Sequence, residues 1–509
     1  MILDPGKGDT LPAQVDFCVI GGGTIGLPIA LELSRATKAP VLCLESGEAA
    51  QEADTHPLHT VEHEASEYAG AQAGRFRGLG GTSARWGGAL IPFQPADMAR
   101  WPVASEDLAP FLSQVETMFG LDAGEYAPPG SEADLGPDLS ARLAKWPPFA
   151  KRNVASLLRD DLDRSENCRV ALNTTVTGIE PGDDGVILTV ATPDRMRSTL
   201  VARRVIIAAG AIETTRLALL LDRTMDGAVR RVSPSLGQYF SDHLSIAIGQ
   251  IDPADRAALN HQFGFRFAPS GMMRNLRFEL ADGSGARGVV PPGFVHIGYE
   301  TDGTGGFDHL RDAMQSIQRR KVPGLRTIAG LARHAPWLVR AIAWRYRHKR
   351  QLFPDRADLV AHGVIEQIPD AANRITLSEQ ATDAFGTPLP AIRWQVGQRD
   401  IANMNILAEL FEREWKASPL HQAGTFARFE PAQIEDAVRH SGGIYHPTGS
   451  TRMGTSAADG VVDADLRLFA EPRIQLCSTS VLPSGGGANP TMTALLLAMR
   501  LVAQHARPE

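Results

Sequence analysis

The sequence predicts an α/β protein, a doubly wound parallel sheet interrupted by an α+β insert built on an antiparallel sheet with helices. Three observations predict it. The chain opens with a strand–glycine loop–helix–strand unit, its middle changes texture to short mixed segments, and a buried-strand and helix pattern returns near the C-terminus.

Val15 to Ile20 reads as a short buried strand, Gly21-Gly22-Gly23 as a turn, and Thr24 to about Arg35 as a helix. A second strand, Val41 to Leu44, ends at Glu45. Residues 170 to 207 alternate apolar and polar in runs broken by Pro181-Gly182-Asp183-Asp184-Gly185, which predicts an antiparallel excursion. Arg204 to Ala208 forms another buried strand, and Ala209-Gly210 leads into a helix through Leu221. Arg473 to Cys477 is strand-like, and Asn489-Pro490 opens an apolar helix to about His505. At 509 residues the chain exceeds one ordinary core. The expected division joins segments 11–100, 160–244 and 441–509 into one domain, with 245–440 inserted as the other.

Composition narrows the function classes. With 43% hydrophobic and 21% charged residues the chain reads as globular rather than disordered. A net charge of −7 argues against a nucleic-acid partner. The first ten residues lack the apolar core of a signal peptide, and no apolar run reaches membrane-spanning length. Cys18, Cys43, Cys168 and Cys477 have no metal-ligand spacing and read as buried small hydrophobes. No metal and a cytoplasmic setting are the expectations.

Gly21-Gly22-Gly23-Thr24-Ile25-Gly26 fits Gly-x-Gly-x-x-Gly directly after a strand and at the opening of a helix. Gly21 permits the turn, Gly23 lets backbone approach a pyrophosphate, and Gly26 lets helix and strand pack closely. The helix start offers free N–H groups to that pyrophosphate. Glu45, nineteen positions beyond Gly26, is placed to accept bonds from ribose hydroxyls and to repel a 2′-phosphate. The motif alone does not separate NAD from FAD.

Three further segments make that separation. They are Arg77-Gly78-Leu79-Gly80-Gly81-Thr82-Ser83-Ala84-Arg85-Trp86-Gly87-Gly88, His446-Pro447-Thr448-Gly449-Ser450-Thr451-Arg452-Met453-Gly454, and Asn489-Pro490-Thr491-Met492-Thr493. With the first motif, and with Ala208-Ala209-Gly210-Ala211-Ile212-Glu213 and Gly237-Gln238-Tyr239-Phe240-Ser241-Asp242-His243 between them, they resemble the glucose–methanol–choline (GMC) oxidoreductases in order and spacing across nearly the whole chain. The Arg-Met-Gly loop is similar to the branch containing pyranose oxidase and bacterial sugar dehydrogenases.

The resemblance implies a Rossmann-like FAD-binding domain and FAD-dependent oxidation of an alcohol, in particular a sugar or glycoside hydroxyl. Gly21, Gly23, Gly26 and Glu45 would then hold the ADP half of FAD, with Ile25 beside them. Gly81, Thr82, Ser83, Trp86, Gly87 and Gly88 would follow the ribityl and isoalloxazine portion, and Val176 would meet adenine through its backbone. Ala209, Gly210 and Glu213, then Ser478, Pro490, Thr491 and Met492, complete the implied cofactor wall. Where the family commonly carries an Asp before the Asn-Pro helix, this chain reads Cys477-Ser478-Thr479-Ser480. Some relatives hold flavin through a histidine in the second glycine-rich motif. Arg85 and Trp86 stand there instead, so FAD is expected to be non-covalent.

His446 is the candidate base, because a neutral imidazole can take the hydroxyl proton while hydride leaves for flavin N5. Asn489 is its candidate partner at the substrate oxygen. Asn489-Pro490 is also a strong local helix start, with Asn at N-cap and Pro at the first position, and the two roles compete. The alternatives are a non-sugar alcohol (aromatic, aliphatic or steroid), a hydroxynitrile-lyase-like enzyme that keeps FAD without net redox, and a non-enzymatic nucleotide-binding protein at a membrane surface. The electron acceptor, oxygen or a separate carrier, is not legible. Between His309 and Arg350 eleven Lys/Arg face one acid, Asp312, with Leu325, Ile328, Leu331, Leu338 and Ile342 at roughly helical spacing and Pro336 dividing two helices. Two surface helices packed on the substrate domain are expected there; contact with an anionic membrane or an acidic glycan is the other reading.

Overall fold

The computed structural model describes residues 1–50, 56–128, 135–318 and 322–506. Its first sheet is parallel at the centre, in the order Ile2–Leu3, Cys168–Ala171, Val41–Leu44, Gln14–Ile20, Arg197–Ile207, Glu471–Leu476. These strands are apolar on both faces because helices cover both sides. The helix Gly26–Thr37 buries Leu27, Ile29, Leu31 and Leu33 and packs against Thr491–His505, which buries Leu495, Leu496 and Met499. The expected antiparallel excursion is the hairpin Thr175–Pro181 with Val186–Ala191, which pairs onto the long strand Arg197–Ile207. Strands Gln14–Ile20, Val41–Leu44 and Arg197–Ile207 all end at one edge, where an open α/β sheet offers a ligand crevice.

Two helix starts differ from the local expectation. The first helix begins at Gly26 rather than Thr24, because Thr24 and Ile25 form the turn that the glycine loop requires. The last begins at Thr491, with Pro490 in the cap position and no side-chain capping bond. Asn489 is therefore not the N-cap, and a tertiary contact described below claims its side chain.

The second sheet is antiparallel, in the order Arg266–Phe267, Met273–Leu280, Gly293–Glu300, Asp358–Glu366, His243–Pro253, Gly424–Arg428, with Leu139–Trp146 also paired to Met273–Leu280. A small sheet pairs Arg374–Thr382 and Pro388–Arg393 with Glu62–His63. Alternation sorts the second sheet's faces. Gly363 meets Met404 of the helix Gln398–Ala417, so Ala361, Gly363 and Ile365 look at that apolar helix. His362, Val364 and Glu366 look the other way. Their cross-strand partners His296, Phe294 and His243 share that second face.

Candidate active site

The glycine loop has a separate steric reason at each position. Gly21 sits at φ +107°, and a Cβ there would lie 2.6 Å from the Ala208 carbonyl oxygen. A Cβ on Gly26 would lie 1.9 Å from the Gly21 carbonyl oxygen, so only glycine allows the helix this close to its strand. Gly23 is different: its nearest atom would be Gly81 Cα at 3.9 Å. Gly210, at φ +77°, faces nothing within 4 Å. Two glycines thus open a cradle and two close a joint.

Glu45 is 5% exposed and pre-set by backbone donors. Its Oε2 accepts from Gly22 N–H at 2.9 Å, and its Oε1 from Gly47 at 2.8 Å and Gly78 at 3.2 Å. Gly21, Gly23, Ile25, Glu45, Gly81, Thr82, Trp86, Ala209, Gly210, Glu213, Ser478 and Thr491 all border one cleft at the strand ends. Gly26, Ser83, Gly87, Gly88, Val176, Pro490 and Met492 stand outside its wall. Ser83 is buried in a structural role, donating to the Gly80 carbonyl at 2.6 Å and accepting from Val154 N–H at 3.0 Å. Val176 sits inside the hairpin, and Met492 is fully buried.

The wall also holds cations that sequence reasoning did not single out. Arg77 pairs with Glu213 at 2.9 Å and Arg75 reaches it at 3.9 Å, while Arg216 takes its other oxygen at 3.0 Å. Burial opposes the charge on Glu213, yet Arg216, Arg77 and Arg75 hold its carboxyl down at about 2. Three guanidiniums thus meet two acids, since Arg216 also pairs with Asp383 at 2.7 Å, and Arg77 Nε is buried with no partner. An open glycine cradle, a helix start at Thr491 and surplus positive charge are the features a pyrophosphate-bearing dinucleotide requires. Arg77 lies inside the second glycine-rich motif, which was the available signal; Arg75 had none.

The catalytic candidates converge beside this cleft. Asp242, 2% exposed, ties the region together. Its Oδ1 accepts from the His243 and His446 N–H groups at 2.7 Å each, and its Oδ2 from Tyr445 N–H at 3.0 Å and the Tyr68 hydroxyl at 2.6 Å. Burial still pushes its carboxyl up to about 6. The Asp-His pair that ends the Gly237–His243 motif therefore fixes the loop that carries His446.

A directed chain of bonds then follows. His243 Nε2 lies 2.8 Å from the Gly486 carbonyl oxygen, which can only accept, so Nε2 carries the proton and Nδ1 is bare. His446 Nδ1 lies 3.3 Å from that bare Nδ1 and must donate, which leaves His446 Nε2 unprotonated, an acceptor through its lone pair. Asn489 Nδ2 points at this lone pair from 3.2 Å, and Asn489 Oδ1 is buried without a partner. Burial lowers His243 to about 4, and burial, His243 and Arg277 hold His446 well below the usual histidine range. Both rings are neutral at pH 7, as the one-proton-each chain requires. Gly486 N–H donates to Glu366 at 2.6 Å, and burial raises that carboxyl to about 8.

A doubly wound sheet with a glycine-lined cleft at its strand ends, and a neutral histidine with a carboxamide beside it, form an arrangement able to hold a dinucleotide and accept a hydroxyl proton. Residues 369–498 match the GMC oxidoreductase family model. Over nearly the full chain, 2-methyl-1,2-propanediol dehydrogenase of Mycolicibacterium austroafricanum is 22% identical, covering 96% of this chain and 94% of its own. The 6'''-hydroxyparomomycin C oxidase of Streptomyces lividus is 23% identical, covering 98% and 92%. Among solved structures, pyridoxine 4-oxidase from Mesorbium loti superposes with a TM-score of 0.61 at 16% identity, over 96% of this chain and 99% of that one. The chain is thus similar to the GMC oxidoreductase family model over its C-terminal quarter and, over nearly its full length, to enzymes named as a diol dehydrogenase and a hydroxyparomomycin oxidase.

Proposed function

We propose that the protein oxidises a sugar or glycoside hydroxyl to the carbonyl, using FAD held without a covalent bond. The observation that carries this is the bare Nε2 of His446, aimed with Asn489 beside a glycine-lined dinucleotide cleft. When bound, FAD supplies the hydride acceptor. His446 takes the hydroxyl proton at Nε2, and Asn489 holds the substrate oxygen through a carboxamide already free of any capping duty. The sugar assignment draws support from relatives whose names specify carbohydrates, among them a glucose dehydrogenase and C-glycoside 3-oxidases. Anaerobic mixing of the purified yellow protein with sugars, glycosides and simple alcohols tests it. Bleaching by sugars supports the proposal, bleaching only by simple alcohols transfers it to them, and no bleaching favours a lyase-like use of FAD.

Arg85, in the position where some relatives carry a flavin-linking histidine, lies over the Phe76 ring at 4.8 Å. Acid precipitation is expected to release the yellow colour into the supernatant; colour kept in the pellet would contradict non-covalent binding. The four cysteines are free and buried, which suits a reducing compartment. No helix among the described residues is long and apolar enough to cross a membrane. We assign the parallel sheet and its helices to cofactor binding and the antiparallel sheet to substrate.

The basic segment folds into helices Gly306–Gln318, Leu325–Arg333 and Ala335–His348, while Arg319, Arg320 and Lys321 lie outside the described residues. Trp337 packs inward against Phe307. Leu325, Val339, Ile342 and Tyr346 instead point outward, 57–87% exposed, among exposed Arg326, Arg333, Arg340 and Arg347. The helices thus pack on the domain through Trp337 and present a second, apolar and basic stripe outward. We propose that this face rests on an anionic membrane. Co-sedimentation with phosphatidylserine-containing vesicles is expected at low salt, reduced at high salt and lost in V339E/I342E. Absence of binding at low salt contradicts it.

A further inference from the structure

The antiparallel sheet turns one polar face toward His446, through His243. Across that face, register aligns His362 with His296. One step along from the pair Phe278 with Val295, Arg277 stands opposite His296. Arg277, His296 and His362 thus occupy three neighbouring strands of the face that carries His243 and Glu366. The His296 and His362 rings are 5.1 Å apart.

Arg277 is 3% exposed, and its Nε and Nη1 are buried with no hydrogen-bond partner. Its guanidinium lies 4.1 Å over the Phe294 ring, which fixes its plane without using those N–H groups. The next acid on its strand, Glu279, bonds Arg142 at 2.5 Å and Gln94 Nε2 at 2.9 Å through Oε2, and its charge acts on Arg277 without a hydrogen bond between them. No ion pair joins Arg277 to an acid among the described residues. Buried guanidinium N–H groups without acceptors cost stability unless a ligand supplies the acceptor. Its neighbours do not: burial holds His296 at about 3, so that ring is neutral, and His296 Nδ1 is another buried atom without a partner. Arg277 is also near enough for its charge to disfavour protonation of both His243 and His446, and register puts it on the sheet face that carries His243.

Resting on the alcohol-oxidising reading of this site, we infer that Arg277 anchors an anionic oxygen group of the substrate, so that the substrate class is acidic: a sugar or small alcohol bearing a carboxylate, such as a uronate. The unpaired Nε and Nη1 lie on opposite edges of the guanidinium, so each edge offers a donor to an anionic oxygen. Of the acids on this face, Glu279 bonds Arg142 and Gln94 and Glu366 bonds Gly486 N–H, and neither bonds Arg277. Arg277 is then a specificity residue: it holds one end of the substrate while His446 and Asn489 receive the hydroxyl at the other.

Calorimetric titration of the oxidised FAD-loaded protein under anaerobic conditions, with glucose, glucuronate and glucose 6-phosphate, tests this without requiring turnover. Glucuronate is expected to bind roughly 10–100-fold more tightly than glucose. R277M should lose that preference with its visible spectrum unchanged, and R277K should keep part of it. Tighter binding of the phosphate than of the uronate reassigns the anion and overturns the carboxylate. Equal binding of glucose and glucuronate by the native protein overturns the inference outright. So does an R277M protein that still prefers glucuronate. Because binding is read directly, a failure of alcohol oxidation appears separately, as ligands that bind without bleaching.

Discussion

Replacing His446 with alanine is expected to slow reduction of the bound flavin by alcohol roughly 10²–10⁴-fold, while FAD content and visible spectrum stay unchanged. The separation of effects follows from how the loop is held. Asp242 grips the backbone N–H groups of Tyr445 and His446, not the imidazole, so truncating the ring leaves the loop's anchor intact. His446 is also outside the cleft wall that the glycine loop and Glu45 build. With its pKa held well below the ordinary histidine value, His446 is deprotonated across neutral pH. The native reduction rate should therefore climb from acid pH to a plateau already reached by about pH 6.5, and the His446→Ala protein should lack that limb. Stopped-flow reduction across pH reads both effects, and an unchanged rate removes His446 from the chemistry.

The second large effect is expected at His243, which does not touch the cleft. Its bare Nδ1 is the acceptor that forces His446 to carry its proton on Nδ1 and expose Nε2. His243→Leu removes that acceptor, letting His446 adopt the wrong tautomer, and a loss of roughly 10–10³-fold in flavin reduction is expected. The pH profile separates this from a packing defect. His243 contributes to lowering the His446 pKa, so its removal should move the acid limb to higher pH. A slower enzyme with an unmoved limb would mean that His243 only fills space.

The glycine loop was legible in sequence because its reasons are local. Gly21 and Gly26 answer contacts within the same strand–turn–helix unit, and Glu45 sits at the end of the next strand. Asn489 shows where local reasoning fails. Asn-Pro before an apolar run is a strong helix-capping signal, but a histidine 43 residues away in sequence takes its amide. His243 was visible only as part of a motif, since its role depends on Gly486, which lies 243 positions further along. Arg277 left no signal at all. Alternation along Met273–Leu280 shows that two faces exist, and only the closed sheet shows which of them looks at His446. In the basic helices the spacing disclosed an apolar stripe, but not that Ile342 would point outward while Trp337 pointed in.

In the proposed reaction His446 and Asn489 act on a hydroxyl whose carbon gives up hydride to a flavin in the neighbouring cleft. Anaerobic stopped-flow mixing of the yellow protein with an alcohol substrate, and with the same alcohol deuterated at the carbinol carbon, tests it most directly. Bleaching in a single turnover, slowed by the deuterium, is the predicted result. A colourless protein, or a flavin that no alcohol bleaches, would contradict it.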